Sequence, residues 1–316
     1  MTELDASDLL VPEEPPPGKP RRRVRWKALI SIAGIAGLAI AAYTGVGDAR
    51  EQKLPGPGPL AAALILQVVA LIAVAWGWVA LFPHTANRRA LGSGLYTSQL
   101  TKYLPAGGFV QAASQVALSS DETGMAAAAL RLPVFSLCQV SGALTIGSLV
   151  ALNGDLPTWG RVLAGLGLAF VFVLDRRVLA AVLRLLRRFI KRLPEPTDLP
   201  PQRSILLCYV CCIGNIAAFA AAFAILLRDL TPVHPMAAGA AVAAGWAAGF
   251  VVVFLPSGLG LREAVVLAAV PSLGTAPLLA ASVAHRLAGF VAEASLAGSS
   301  RLRIAWHQRR LRRASP

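Results

Sequence analysis

"YLPAGGFVQAA" (residues 103–113) interrupts a chain otherwise built of long apolar runs. A lysine, Lys102, precedes it, and Pro105, Gly107 and Gly108 stand where an apolar helix tolerates none of them well. A counterpart lies 151 residues later, "FLPSGLGLREA" (254–264), with Leu, Pro, Gly and Ala at matching positions. In each copy the proline removes a backbone donor and the glycine permits a sharp bend, so the helix is predicted to stop and restart. The pair reads either as two broken, re-entrant segments of a candidate internal repeat lining a wet cavity, or as two surface loops that each open a helix. Spacing alone leaves both open.

Around these breaks the solvent is predicted to be lipid. Of 316 residues, 56% are hydrophobic and 15% charged, too apolar a mixture to clothe a soluble core. Runs at 28–47, 60–82, 132–152, 160–174, 204–227, 236–255 and 275–298 approach the ~20 residues that cross a bilayer as helix. The 160–174 run is short, and the first could be a signal anchor. No alternating barrel pattern appears, so the expected fold is all-α, a polytopic helical membrane protein with about seven to eight crossings.

Charge organises the ends. The net charge of +14 is concentrated beside the apolar runs, in "RRRVRWK" (21–27), Arg88-Arg89, 176–192 and "RLRIAWHQRRLRR" (301–313). That is the positive-inside distribution, which points to anionic headgroups rather than nucleic acid. Residues 1–27 read as a disordered acidic, Pro-rich and then basic cytoplasmic tail, 28–300 as the membrane domain, and 301–316 as a basic cytoplasmic tail. A cleavable signal peptide at 21–42 is the rival reading, opposed by the long acidic lead. In 176–193, Val178, Leu179, Val182, Leu183, Leu186, Phe189, Ile190 and Leu193 share one helical face opposite arginines, predicting a helix flat on the cytoplasmic interface. Placing the C-terminal tail inside with the other basic segments requires an eighth crossing at 259–273, short and broken.

Several ionisable groups fall where lipid should be. Arg286 sits near the middle of the last run, where a charge costs roughly 2.5 to 3.5 kcal/mol. Ser282, Arg286, Gly289 and Glu293 follow helical spacing and are predicted to face the bundle, with His285 at their border. Arg262 and Glu263 flank the second break, Lys102 and Tyr103 the first, and Arg131 opens the third run. These seven (Lys102, Tyr103, Arg131, Arg262, Glu263, Arg286 and Glu293) form the candidate substrate-binding set. Glu263 and Glu293 are expected to pair with some of Arg131, Arg262 and Arg286, leaving surplus positive charge. Structural ion pairs or snorkelling charges are the alternative.

Other motifs carry less. Cys208, Cys211 and Cys212 lie in an apolar run without histidine and read as small buried hydrophobes, with Cys138 isolated. His84, His234 and His307 show no ligand spacing, so neither a metal nor another cofactor is expected. "SGLGL" (257–261) follows an apolar run rather than a strand, and no Ser/His/carboxylate arrangement has a hydrolase setting, so no catalytic residue is assigned.

"SQLTKYLPAGGFVQAASQVAL" (98–118) and "LPSGLGLREAVVLAAV" (255–270) resemble the lysylphosphatidylglycerol synthase transmembrane region family, the flippase-like integral membrane proteins, over roughly 28–300. The resemblance marks Tyr103, Pro105, Gly107 and Gly108 in the first motif, and Pro256, Gly258, Gly260, Arg262 and Glu263 in the second. Ala106 and Ser257 depart from the glycines usual there. It implies movement of an anionic phospholipid or polyprenyl-linked lipid between leaflets of the cell membrane, with a cytoplasmic N terminus. The larger relatives' soluble aminoacyl transferase domain is absent here, which argues against lipid synthesis by this chain. The alternative is a membrane-embedded lipid-modifying transferase, or a subunit serving a partner enzyme of lipid or glycan synthesis, with Glu263 as general base.

Overall fold

The structure, a computed structural model, describes residues 54–103, 107–152, 158–190, 194–251, 261–270 and 273–314. All regular structure among them is helical. The order is α1 (Pro57–Ala80), α2 (Arg88–Leu100), α3 (Gly107–Thr123), α4 (Met125–Leu152), α5 (Thr158–Ala169), α6 (Arg176–Phe189), α7 (Gln202–Leu230), α8 (Pro235–Val251), α9 (Leu261–Ala269) and α10 (Thr275–Ala314). Short 3-10 turns follow α2, α5 and α6.

Among the described residues, four helices are long and apolar enough to cross a bilayer: α1, the Met125–Leu149 part of α4, α7, and the Thr275–Ile304 part of α10. A shorter apolar stretch, Ala164–Leu174, carries α5 into its 3-10 extension. Each described apolar run thus lies on a helix. The run at 28–47 and the tail at 1–27 lie outside the described residues, as do 252–255, 315 and 316.

Small residues let these helices approach closely, as expected where lipid supplies little hydrophobic drive between them. A Cβ on Gly77 of α1 would sit 3.1 Å from Cys211 Cβ and 3.2 Å from the Cys208 carbonyl oxygen of α7, and Gly142 of α4 meets the Cys212–Ile213 backbone at 3.2 Å. Trp78 fills the core beside them, edge-on to Phe82 and Phe135. Cys138, isolated in the sequence, packs in this core near Cys208, and its thiol donates to the Ile205 carbonyl at 3.7 Å.

Contacts fix the directions. Gly56, at the start of α1, donates to Asp229 at the end of α7, while Gly77 meets Cys208 near the start of α7, so α1 and α7 are antiparallel. α10 runs with α1: Gln67 meets His285, and Ser93 of α2, beyond the end of α1, meets Ser300. The end of the bundle holding Ala80 is therefore the end holding Arg88, Arg89 and Arg303, which line one cavity. The amphipathic helix is there too, since Leu179 and Leu183 of α6 are buried in one cluster with Leu81, Phe82 and Leu91. Val178, Val182, Leu186 and Phe189 of the same helix remain exposed. Residues 191–193 of that predicted face lie outside the described residues.

The helices flanking the two motifs pair in the same way. α2 and α3 lie side by side, with Gly94 against Leu118 and Glu122 accepting from Asn87 N, so the chain reverses between Tyr103 and Gly107. This hairpin starts and ends at the basic end. α8 and α9 pair likewise: Gly245 touches Arg262, and Val266 and Val270 cluster with Ala238, Ala241 and Val242. This second hairpin starts and ends at the opposite end. Of the segment 259–273, where a short crossing is expected, residues 259–260 and 271–272 lie outside the described residues. Leu261–Ala269 has nine residues, about 14 Å of helix, and runs back along α8.

Candidate functional site

The described ends of both helix pairs meet one helix, α10. Lys102, in the 3-10 turn ending the first hairpin's entry arm, donates to Glu293 Oε1. Glu263, the third residue of α9 on the second hairpin's return arm, accepts from Arg286 Nη2 at 2.8 Å. Arg286 and Glu293 are seven residues apart, two turns on one face, and thus about 10 Å apart along the axis. Arg286 lies eleven residues from Thr275, and Glu293 eleven from Ile304, so the two ion pairs straddle the centre of the apolar span.

The stripe read from helical spacing faces inward. Ser282, His285 and Glu293 are buried, and Gly289 lies against Gln67 of α1. His285 Nε2 is 2.7 Å from the Gln67 side-chain amide and 3.1 Å from the Phe219 carbonyl oxygen, with Phe219 and Phe223 edge-on to its ring. Arg262 places its guanidinium 5.2 Å from the centre of the Phe219 ring, a cation–π contact. Its Nε is buried and makes no hydrogen bond among the described residues. A buried donor left open on a permanent cation is costly unless something outside this set accepts from it.

The cluster is not sealed. The Lys102 and Arg286 side chains are each 25% exposed, against 5% for Glu293 and 11% for Glu263. At its edge Tyr103 lies beside Glu293, its ring 5.3 Å from Phe290 in edge contact. Leu287, Phe290 and Val291 next to it on α10 are open on the outer surface. The charged cluster therefore borders the apolar exterior.

Six of the seven candidate residues gather here: Lys102, Tyr103, Arg262, Glu263, Arg286 and Glu293. Arg131 does not. It donates to the carbonyls of Leu81 and Ala127, and its guanidinium lies 5.0 Å from the Phe82 ring centre, at the basic end of the bundle. It serves as a cap on the exposed carbonyl end of α1, and neither Glu263 nor Glu293 pairs with it. The expected pairing needs a second correction, because Glu293 takes Lys102 rather than an arginine. Among the helix-break residues, Gly107 and Gly108 open α3, whereas Pro105, Pro256, Gly258 and Gly260 lie outside the described residues.

Sequence reading passed over Gln67 and Phe219. A signal existed for the first, a lone amide in the apolar run 60–82. Phe219 had none, being one aromatic among many. Among the described residues, no three His, Cys, Asp or Glu side chains gather as a metal site. Comparison of the sequence with protein-family models and with curated proteins returns no match.

Proposed function

We propose that this chain is a flippase-like translocator that moves an anionic phospholipid or a lipid-linked glycan between the leaflets of the cell membrane. The observation that carries the reading is the convergence of Lys102 and Glu263, carried by two oppositely directed helix pairs, on one face of α10 in the middle of its apolar span. Irregular backbone at membrane depth survives only inside protein or beside a wet cavity, and paired breaks around a midplane site are how many transporters hold a substrate. Ionisable groups at such depth are functional by default.

In this reading both hairpins are re-entrant and form an inverted pair. Six crossings (the run at 28–47, α1, α4, α5 with its extension, α7 and α10) put the N terminus, Arg88-Arg89, α6 and the C-terminal basic segment on the cytoplasmic side. The chemistry follows from the charges. Lys102, Arg262 and Arg286 face Glu263 and Glu293, leaving one surplus positive charge for a phosphate. The headgroup displaces a carboxylate from Lys102 or Arg286 and offers Arg262 Nε an acceptor, while its chains stay in lipid past Tyr103 and Phe290. The likeness of both motifs to the flippase-like family supports the same reading.

The test is lipid exchange in liposomes holding the purified chain, with head-labelled phosphatidylglycerol and an impermeant quencher. Wild type should expose inner-leaflet label faster than empty vesicles, and Arg286→Ala should not. Equal rates for wild type and empty vesicles, with labelled phosphatidylglycerol and a labelled polyprenyl phosphate alike, would sink the proposal.

A further inference from the structure

A second region, away from the hairpin tips, has the chemistry of a lipid site. At the basic end a cleft of about 1230 Å³ opens between α1, α2 and the C-terminal part of α10. Its floor is apolar, formed by Ile72, Trp76 and Val79 of α1 and by Leu296 and Ile304 of α10. Its mouth carries Arg88, Arg89 and Arg303. That volume exceeds the roughly 300 to 1,000 Å³ of ordinary small-molecule sites.

The arginines are placed against their own helix. Arg88 and Arg89 are the first two residues of α2, whose first turn holds no acid. The free amides there already form the positive pole of the helix, where a cation is unfavourable and an anion favourable. Asn87 caps Ala90 N at 3.3 Å, and Arg88 Nη2 lies 2.6 Å from His84 Nδ1, neither of which supplies negative charge. One carboxylate, Glu122, borders the cleft, and it accepts from Asn87 N rather than pairing with an arginine. Among the described residues no acid lies within ion-pair distance of Arg88, Arg89 or Arg303. Three cations against one acid thus crowd a helix N-terminus above an apolar trough. Trp76 and Trp306, both more than half exposed, line the same cleft, as indoles do at the headgroup level of a bilayer.

We infer that this cleft holds one anionic phospholipid of the basic-side leaflet, with its phosphate among Arg88, Arg89 and Arg303 and an acyl chain along Ile72, Trp76 and Ile304. The charge pattern selects an anionic headgroup, and the apolar floor selects a lipid over a soluble phosphate. The inference needs the chain to be embedded in a membrane and is independent of translocation.

Brominated lipids test it, because bromine quenches a tryptophan it touches. The full chain is reconstituted with dibrominated phosphatidylglycerol or dibrominated phosphatidylcholine at equal mole fraction. Phosphatidylglycerol should quench more, Trp76→Phe should remove much of the excess, and Arg303→Gln should lower the relative binding constant roughly fivefold, one arginine's share of surface attraction. Arg88→Gln/Arg89→Gln/Arg303→Gln, changed at the cleft mouth, should bring the two lipids level while quenching by phosphatidylcholine stays as in wild type. Arg286→Met should keep the wild-type preference, so loss of translocation and loss of this site are read separately. Equal quenching in wild type overturns the inference, as does a preference that survives the triple change or Trp76→Phe. Abolition of the preference by excess soluble glycerol phosphate also overturns it, by assigning the arginines to a soluble anion.

Discussion

Replacing Arg286 by methionine separates the two roles that a buried ion pair can have. Arg286 Nη2 stands 2.8 Å from Glu263 Oε1, and the carboxylate is the more deeply buried partner, at 11% exposure against 25%. Removing the arginine takes from Glu263 its ion pair in a low-dielectric interior. Breaking a buried pair in this way costs 3 to 5 kcal/mol, and partial solvent access to Arg286 puts the expected loss near the lower end, about 3 kcal/mol. Removing both charges, in Arg286→Met/Glu263→Met, is close to neutral, because a well-packed apolar pair of similar volume spares two desolvation penalties. Stability in detergent should therefore fall in the single variant and return to within about 1 kcal/mol of wild type in the double. Lipid exchange should be lost in both, since neither can hold a headgroup phosphate at that position. Unfolding in mixed micelles gives the first quantity and liposome exchange the second. A double variant that is stable and exchanges lipid at the wild-type rate would refute the functional role and leave the pair as scaffolding. A single variant as stable as wild type would refute the pair itself.

Gly245→Ala should destabilise the chain by roughly 1 to 3 kcal/mol, as overpacking does, and slow lipid exchange, because its Cβ would stand 2.9 Å from the Arg262 carbonyl oxygen and backbone must move. Thermal unfolding and the exchange assay on the same preparation check this. Gly124→Ala should cost about 1 to 2 kcal/mol through its backbone alone, since φ is +84° and nothing lies within 4 Å, and exchange per folded molecule should stay at the wild-type rate. In a background with its native thiols replaced, Asp121→Cys and Arg303→Cys should react with an impermeant reagent from one side of the membrane and His234→Cys from the other. Labelling of Asp121→Cys and His234→Cys from the same side would contradict the opposed hairpins.

Much of this architecture was legible in the chain before any coordinate. Hydropathy alone located α1, α4, α7 and α10, because a bilayer demands long uncharged helices and little else has that composition. Helical spacing put Ser282, Arg286, Gly289 and Glu293 on one inward face. Partners were not legible. Nothing local shows that Lys102 rather than an arginine reaches Glu293, or that Arg131 turns to the Leu81 carbonyl, since these partners lie 191 and 50 residues apart and meet only when their helices dock. The packing of Leu261–Ala269 along α8 was hidden in the same way: residues 259–273 are apolar enough to suggest a crossing, and no local signal shows that Arg262 meets Gly245.

The placement of charge around α10 has a consequence for how a translocator could work. Each hairpin tip contributes one partner of an ion pair and α10 the other, with opposite polarity: the tip entering from the basic end brings a cation to Glu293, and the tip entering from the far end brings an anion to Arg286. A phosphate arriving from the basic side meets Lys102 first and competes with Glu293 for it, which loosens the first hairpin from α10 while the second stays latched. Passage two turns along the same face brings the phosphate to Arg286, where it competes with Glu263 and loosens the second hairpin instead. The carboxylate released at each stage returns the vacated cluster to the single surplus positive charge it began with, so neither hairpin gains by staying open once the lipid has moved on. A helix with one ion pair at its centre would hold a headgroup but give it no second station. The symmetric offset of Arg286 and Glu293 about the middle of the span makes the exchange equally available from either leaflet, so the proposed translocation would be bidirectional unless a gradient is imposed on it.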